Sequence, residues 1–290
     1  MTSNLTNRNY IRESPALVNS RYALTKTENN LVIMLLTAIE KDDEDFKDYV
    51  FTKAELERKA GVSFNSSDLK DTAKNLMSKV LEIKTERGFT LFTWFSYFSY
   101  EDGVITCSFD KRLKPYLLEL KQYILADARH LMHMQSTYSK RIYMLVKEHA
   151  KFGSRTFDVE ELMHMLKVPK SYKYADFKRK VLMQAKADID KYTDLKVDFS
   201  EEKFGRKVAK VHFEIRKNDE DLNTFIKIIR ENYVNRALYF DSDNTIKCAE
   251  DGKLYCAETQ KTYDSKTAEK LWNMLHEKRQ YLLIFQESLF

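Results

Sequence analysis

The sequence predicts an α+β fold: two tandem winged-helix domains with a small C-terminal α/β extension. Three observations predict it. The order helix, short strand, helix, helix, hairpin occurs twice, matched residues recur 106 positions apart, and 290 residues are long for one compact domain. At that spacing Phe51 matches Phe157, Glu55 matches Glu161, Leu56 matches Leu162 and Val62 matches Val168. A helix-turn-helix followed by a β-hairpin wing describes each copy. The expected divisions are a flexible N-terminus over 1–13, a first domain over 14–125, a second over 126–217 and the extension over 218–290. The two copies are expected to join near Leu120 to His130.

In the first copy, Thr25 and Glu28 have capping-box spacing ahead of the apolar run Leu31 to Ile39, so a helix opens near Thr25 or Thr27. The run is apolar almost all round, which predicts a central, buried helix. After an acidic loop, Tyr49-Val50-Phe51 reads as a short strand, Thr52 caps a helix carrying Leu56, and Gly61-Val62 ends it. Ser66 or Ser67 starts the next helix, with Leu69, Ala73, Leu76, Met77 and Val80 on its inner face. Leu81 to Lys84 and the aromatic stretch Phe89 to Tyr100 follow. Asp102-Gly103 between two β-rich runs is a hairpin signal.

The second copy begins with a helix over Thr137 to Ala150, then a strand at Arg155-Thr156-Phe157 and a helix capped by Asp158. Another helix runs from about Tyr172 to Lys191. Leu195 to Phe199 and Val208 to Ile215 form a hairpin around Lys203 to Lys207. Beyond it the order does not repeat. Helices are expected over Leu222 to Tyr233 and Thr267 to Phe290, with strands over Ala237 to Phe240 and Ile246 to Cys256.

Composition narrows the function. With Gly 6 and Pro 3, Gly-rich phosphate loops and long disordered linkers are disfavoured. No apolar run approaches the roughly 20 residues of a membrane span, and Met1 to Arg12 lacks an apolar signal segment. Three scattered cysteines make no disulfide framework. These features predict a soluble protein of a reducing cytoplasm. His130, His133 and His164 lack metal-ligand spacing, and Cys248, Cys256 and His276 supply at most three ligands. No Walker motif, nucleophile elbow or HExxH occurs, so no catalysis, cofactor or metal is expected.

The net charge is only +5, so its distribution matters more than its size. On an ideal helix, Tyr174, Phe177, Val181, Leu182, Ala185 and Ile189 share one stripe. Asp176, Arg179, Lys180, Met183 and Ala187 lie opposite, with Lys173 on the flank. Lys170 to Lys191 holds seven basic and three acidic residues. A solvated helix face is the simpler account of such a cluster. The neighbouring hairpin adds Lys203, Arg206, Lys207 and Lys210, which favours a recognition helix beside a phosphate-gripping wing on double-stranded DNA. Arg179 suits a guanine edge, and Lys170, Lys173 and Lys180 suit bases or phosphates. Lys178 falls near the apolar stripe, so it must snorkel outward or the helix must depart from the ideal. The first copy's helix is less basic, with Lys70, Lys74 and Lys79 offset by Asp68 and Asp71, and suits backbone contact or dimerisation. The aromatics Phe92 to Tyr100 read as a strand buried on both faces or a dimerisation edge rather than a single-strand stacking platform.

Several blocks carry a family resemblance: Leu17-Val18-Asn19-Ser20-Arg21-Tyr22-Ala23-Leu24-Thr25, Leu113 to Leu120, Ser139 to Tyr143, Arg155-Thr156-Phe157, and Tyr174 to Leu182. Across Ala16 to Ile215 the chain resembles the iteron-binding plasmid replication initiators (Rep proteins). The resemblance implies two winged helices flanking one site on origin direct repeats, the second reading bases and the first adding DNA contacts and a dimer interface. It implies monomers that bind iterons and help open an AT-rich segment, in equilibrium with homodimers. It also implies host replication initiator and helicase proteins as partners, and no DNA cleavage. A winged-helix transcriptional repressor without initiator activity is the alternative.

Overall fold

In a computed structural model of the chain, the expected capping box closes at Thr25. The Thr25 hydroxyl accepts from the Glu28 amide (3.3 Å), and the Glu28 carboxylate accepts from the Thr25 amide (2.8 Å). The structure describes residues 10–40, 43–60, 66–218, 237–240, 245–251, 253–264, 267–268 and 270–271. Two compact units divide the chain, residues 1–217 and 218–290.

In the larger unit, β1 (Tyr10–Glu13) and α1 (Pro15–Val18) precede α2 (Lys26–Leu36). Every residue of α2 from Glu28 to Leu36 is buried, as its all-round apolar pattern requires. β2 (Tyr49–Thr52), α3 (Lys53–Ala60) and α4 (Ser66–Ser78) follow, then β3 (Val80–Thr85), β4 (Gly88–Thr93), β5 (Phe95–Glu101) and β6 (Val104–Phe109). α5 (Lys114–Leu117), β7 (Ile124–Asp127) and α6 (Ala128–His133) lead into the second copy. That copy comprises α7 (Thr137–Lys147), β8 (Ser154–Asp158), α8 (Val159–Met165), α9 (Tyr174–Phe177), α10 (Met183–Tyr192), β9 (Leu195–Phe204) and β10 (Lys207–Lys217).

The repeat extends to the sheet register. The three-stranded sheets of the larger unit run β2-β6-β5 and β8-β10-β9, the same order in each copy. Phe51 faces Ile105 and Phe157 faces Val211; Tyr49 faces Cys107 and Arg155 faces Phe213. Each member of the second pairing lies 106 residues beyond its counterpart (157 − 51 and 211 − 105). Phe51, Leu56, Phe157 and Leu162 are all buried. Such side chains each contribute about 1.5–3 kcal/mol on burial. Val62 lies outside the described residues.

Three expectations need correction. The N-terminal stretch 1–13 was expected to be flexible, yet its residues 10–13 form β1. This strand pairs antiparallel with β7, Tyr10 facing Asp127 and Glu13 facing Ile124. The division at 125/126 therefore falls inside β7, and the junction near Leu120 to His130 contains a paired strand and a helix. The aromatic stretch is also not one strand buried on both faces. It breaks at the buried Trp94 into β4, which pairs with β3, and β5, which pairs with β6. Phe92 and Phe95 are buried, but Phe89, Leu91, Tyr97 and Tyr100 are exposed. In β4, period-2 alternation explains this, one face packing and the other meeting solvent; in β5 a bulge between Phe95 and Tyr97 shifts the alternation by one residue.

The segment Asn19 to Tyr22 stitches the two copies together. Arg155 of β8 donates to Asn19 Oδ1 (2.5 Å), Glu148 Oε2 (2.6 Å) and the Leu145 carbonyl (2.7 Å), and Asn19 Nδ2 donates to the same Glu148 oxygen (2.9 Å). Arg21 pairs with Glu82 of β3 (3.1 Å) and reaches the His164 carbonyl after α8's midpoint (3.2 Å). The buried Arg141 of α7 donates to the Ser20 carbonyl and lies 3.8 Å over the Tyr22 ring. One continuous core runs through both copies.

In the smaller unit, β11 (Ala237–Phe240), β12 (Thr245–Cys248) and β13 (Leu254–Cys256) form an antiparallel sheet in that order. The helix expected over Leu222 to Tyr233 lies outside the described residues, as does most of that expected over Thr267 to Phe290. No helix among the described residues is long and apolar enough to cross a membrane. Among them no group of three or more His, Cys, Asp or Glu is placed to hold a metal ion.

Candidate nucleic-acid interface

The expected helix over Tyr172 to Lys191 is continuous from Tyr174 to Tyr192, but not uniformly α. Residues Lys178–Leu182 form a π turn between α9 and α10. A π turn absorbs one extra residue. Phe177, Val181, Leu182, Ala185 and Ile189 are thereby all fully buried, as the stripe predicts. The turn also resolves the conflict at Lys178. Its side chain swings to the hairpin, where Nζ lies 2.6 Å from Glu201 Oε1.

Outside the stripe, Lys170, Lys173, Arg179, Lys180, Met183 and Ala187 are exposed. Arg179 is more open than Lys180, with 72% of its side chain accessible against 44%. Asp176 sits between Arg179 (3.3 Å) and Lys180 (3.4 Å). Burial alone would raise the Asp176 carboxyl, but Lys180 and then Arg179 outweigh it and hold it below its ordinary value. The Lys180 ammonium also lies 4.5 Å over the Tyr172 ring. Asp176 therefore remains an anion that aligns two cations along one edge of the helix.

The wing rises beside this face. β9 and β10 pair from Leu195–Lys217 to Phe204–Lys207, and the third strand ends at Asp158 opposite Lys210. Beyond that point the hairpin stands free as a two-stranded ribbon. A bulge between Val208 and Lys210 bends it at its root. Lys203 and Arg206 are exposed and form no ion pair among the described residues. Lys207 is paired with Glu160 in the first turn of α8, and that contact raises its pKa. Lys210 pairs with Glu202 (3.2 Å). The sequence pointed to these cations but missed their counter-ions. Glu160 and Glu201 come from other elements, and only the fold brings them to Lys207 and Lys178.

In the first copy, Lys70 and Lys74 lie one turn apart on α4, exposed and without an ion pair among the described residues. They are not brought to the second copy's charged face by any described contact. Residues 88–109, which include β4, β5 and β6, contain no lysine or arginine. The first copy's wing thus carries no cation.

Fold and charged face together define a tandem winged-helix protein. Two family models match the chain: the WH1 region of initiator replication proteins over residues 10–147, and the WH2 region of initiator Rep proteins over 158–215. The chain belongs to this initiator replication protein family. It is 27% identical over 194 residues to a replication initiation protein of Escherichia coli, covering 61% of this chain and 61% of that relative's length. It also resembles the solved structure of the Pi initiator protein in complex with iteron DNA, with a TM-score of 0.57 and 20% identity. That likeness covers 72% of this chain and 98% of the other.

Proposed function

We propose that this chain is a plasmid replication initiator that binds direct repeats (iterons) in double-stranded origin DNA through its second winged helix. The observation that carries the reading is the Arg179–Asp176–Lys180 edge, exposed beside a free-standing basic ribbon. Arg179 is suited to a bidentate contact with guanine O6 and N7, and Asp176 to accepting from a neighbouring cytosine amino group. Lys170 and Lys173 precede the helix, where they suit phosphates flanking the same groove. Lys203, Arg206 and Lys207 suit phosphates on the other side, releasing counter-ions and setting register. Lys70 and Lys74 add a second, weaker backbone contact.

Homodimers in equilibrium with monomers fit the first copy. The outer face of the β3–β4 hairpin carries exposed Val80, Phe89 and Leu91, a surface suited to a second copy of the chain. A bound monomer helps open adjacent AT-rich DNA and presents it to the host replication initiator and helicase. The reaction involves no strand cleavage, a reading supported by the lack of a catalytic constellation in the sequence. The protein acts in the cytoplasm.

Footprinting on the DNA that flanks the gene tests the reading. Protection of tandem direct repeats, with replication of that origin lost when the protein is absent, is the expected result. Protection of a single palindrome, with replication intact, makes the protein a repressor instead. Supercoiled origin DNA incubated with the protein and a divalent metal should stay unnicked; a nick with covalently attached protein refutes the non-enzymatic reading.

A further inference from the structure

The wing ends in a residue that phosphate binding does not require. Phe204 is 85% exposed, more than any other large apolar side chain among the described residues. It stands at the last paired position of the hairpin, opposite Lys207. The turn is Gly205-Arg206, with Gly205 at φ +61 and nothing within 4 Å of where its Cβ would be. Positive φ at only the first central residue is the pattern of a type II′ turn, which keeps the tip one peptide wide. By register, Phe204 and Lys207 project to one face of the ribbon and Lys203 and Val208 to the other. An apolar ring is therefore held in water at the narrow end of a ribbon whose two faces and turn each carry a cation.

Exposing a phenylalanine so fully forgoes the burial that apolar side chains favour. The charges around it say what covers it in the complex. Lys203, Arg206 and Lys207 disfavour a basic or purely apolar partner, and suit the paired phosphate rows that border a DNA groove. A slim basic tip with an apolar end matches the wedges that enter the minor groove and part a base step. The root of the ribbon is tied to the helix that carries Arg179 through Lys178 and Glu201, which lies opposite Val211, so the tip projects from a strand held beside that helix.

We infer that Phe204 is a minor-groove wedge, inserted by the second wing at a single base step beside the repeat read by Arg179, where it unstacks and kinks the duplex. This rests on the DNA-binding reading above. The favoured step is a pyrimidine–purine step such as TA, the easiest to unstack. The wing thereby reads DNA deformability next to a helix that reads base edges.

The test uses the full chain and a duplex selected by the wild-type protein from a random-sequence pool, with 2-aminopurine placed at each step in turn. Wild type is expected to raise fluorescence at one step flanking the Arg179 footprint and to bend the duplex. Phe204→Ala should bind the same sequence about 5–10-fold more weakly, without the fluorescence rise and with a smaller bend; Phe204→Trp should restore both. A mismatch at that step should tighten wild-type binding and leave Phe204→Ala unchanged, because only the wedge gains from cheaper unstacking. Equal fluorescence and bending with Phe204→Ala overturn the wedge and leave DNA binding intact. Failure of the wild type to select any sequence overturns the DNA-binding reading itself. Phe204 lies outside the buried core and is 85% exposed, so unchanged thermal melting separates lost wedging from lost folding.

Discussion

The two winged helices share strand order, register and core positions, yet differ in almost everything they show to solvent. The first wing turns on Asp102-Gly103, both at positive φ (48° and 81°), with Glu101 beside it. The second turns on Gly205-Arg206, with Phe204 and Lys207 beside it. On the first copy's α4, Lys70 and Lys74 alternate with Asp68 and Asp71; on the second copy's helix, a single carboxylate lies between Arg179 and Lys180. The first copy also carries an additional hairpin, β3–β4, with no equivalent in the second. Buried alternation dictates the scaffold twice over, while the exposed positions assign different work to each copy. In the proposed function, the second copy grips DNA and the first supports it.

The largest expected effect probes what the copies share. Phe51→Ala and Phe157→Ala occupy equivalent positions in one continuous core, and each should cost about 3–5 kcal/mol. Urea denaturation of residues 1–217, followed by tryptophan fluorescence and circular dichroism, should show one shifted transition for either variant. Two separate transitions would mean that the copies melt independently.

The seam between the copies gives a pH signature. Burial pushes the Glu13 carboxyl up to about 7, with Arg141 acting against it. In the unfolded chain the group returns to about 4.5, so between these values the folded state binds more protons. Glu13's contribution is therefore greatest at the acid end of this window and is lost as pH rises toward 7. Glu13→Gln should flatten the fall in stability between pH 5 and pH 8, by on the order of 3 kcal/mol at most. An unchanged pH profile would move the effect elsewhere.

Next come the two helices. Arg179→Ala should cost on the order of 1–3 kcal/mol and relax the choice of base at one position. Lys74→Ala should weaken all sequences alike, and by less. Binding-site selection with each variant checks this, and a Lys74→Ala that relaxes base choice while Arg179→Ala does not would reverse the roles given to the copies.

The wings should differ least in energy but clearly in salt dependence. Lys203→Ala or Lys207→Ala should lower the slope of log affinity against log salt by about 1 each. Glu101→Lys, which adds a cation to the first wing, should leave that slope unchanged. A steeper slope would place the first wing against the phosphate backbone after all.

Much of this division was legible in the sequence. The stripe from Phe177 to Ile189, the Thr25–Glu28 capping box and the 106-residue repeat all follow from periodicity and local capping, which need no tertiary knowledge. The exposed basic residues of the second helix and wing could also be named in advance. Other features depended on distant parts of the chain. The pairing of β1 with β7 joins residues more than 100 apart, and no local pattern in Tyr10–Glu13 announces it. The break at Trp94 hides inside an unbroken aromatic run. Lys178 signalled a conflict with an ideal helix without saying how it would be resolved, and the pairing of Lys207 with Glu160 bridges two elements.

The π turn at Lys178–Leu182 has one further consequence. It works as a slip joint between an exposed, charged end and a core-anchored end of the same helix. Removing a single residue there would return the helix to a regular pitch with Asp176–Arg179 and Ala185–Ile189 still in phase, because the turn has already absorbed that residue. The anchored end would keep its seat and the Asp176–Arg179 end its facing. The scaffold can therefore gain or lose one residue at this turn without changing either its interior or the side chains it offers to solvent.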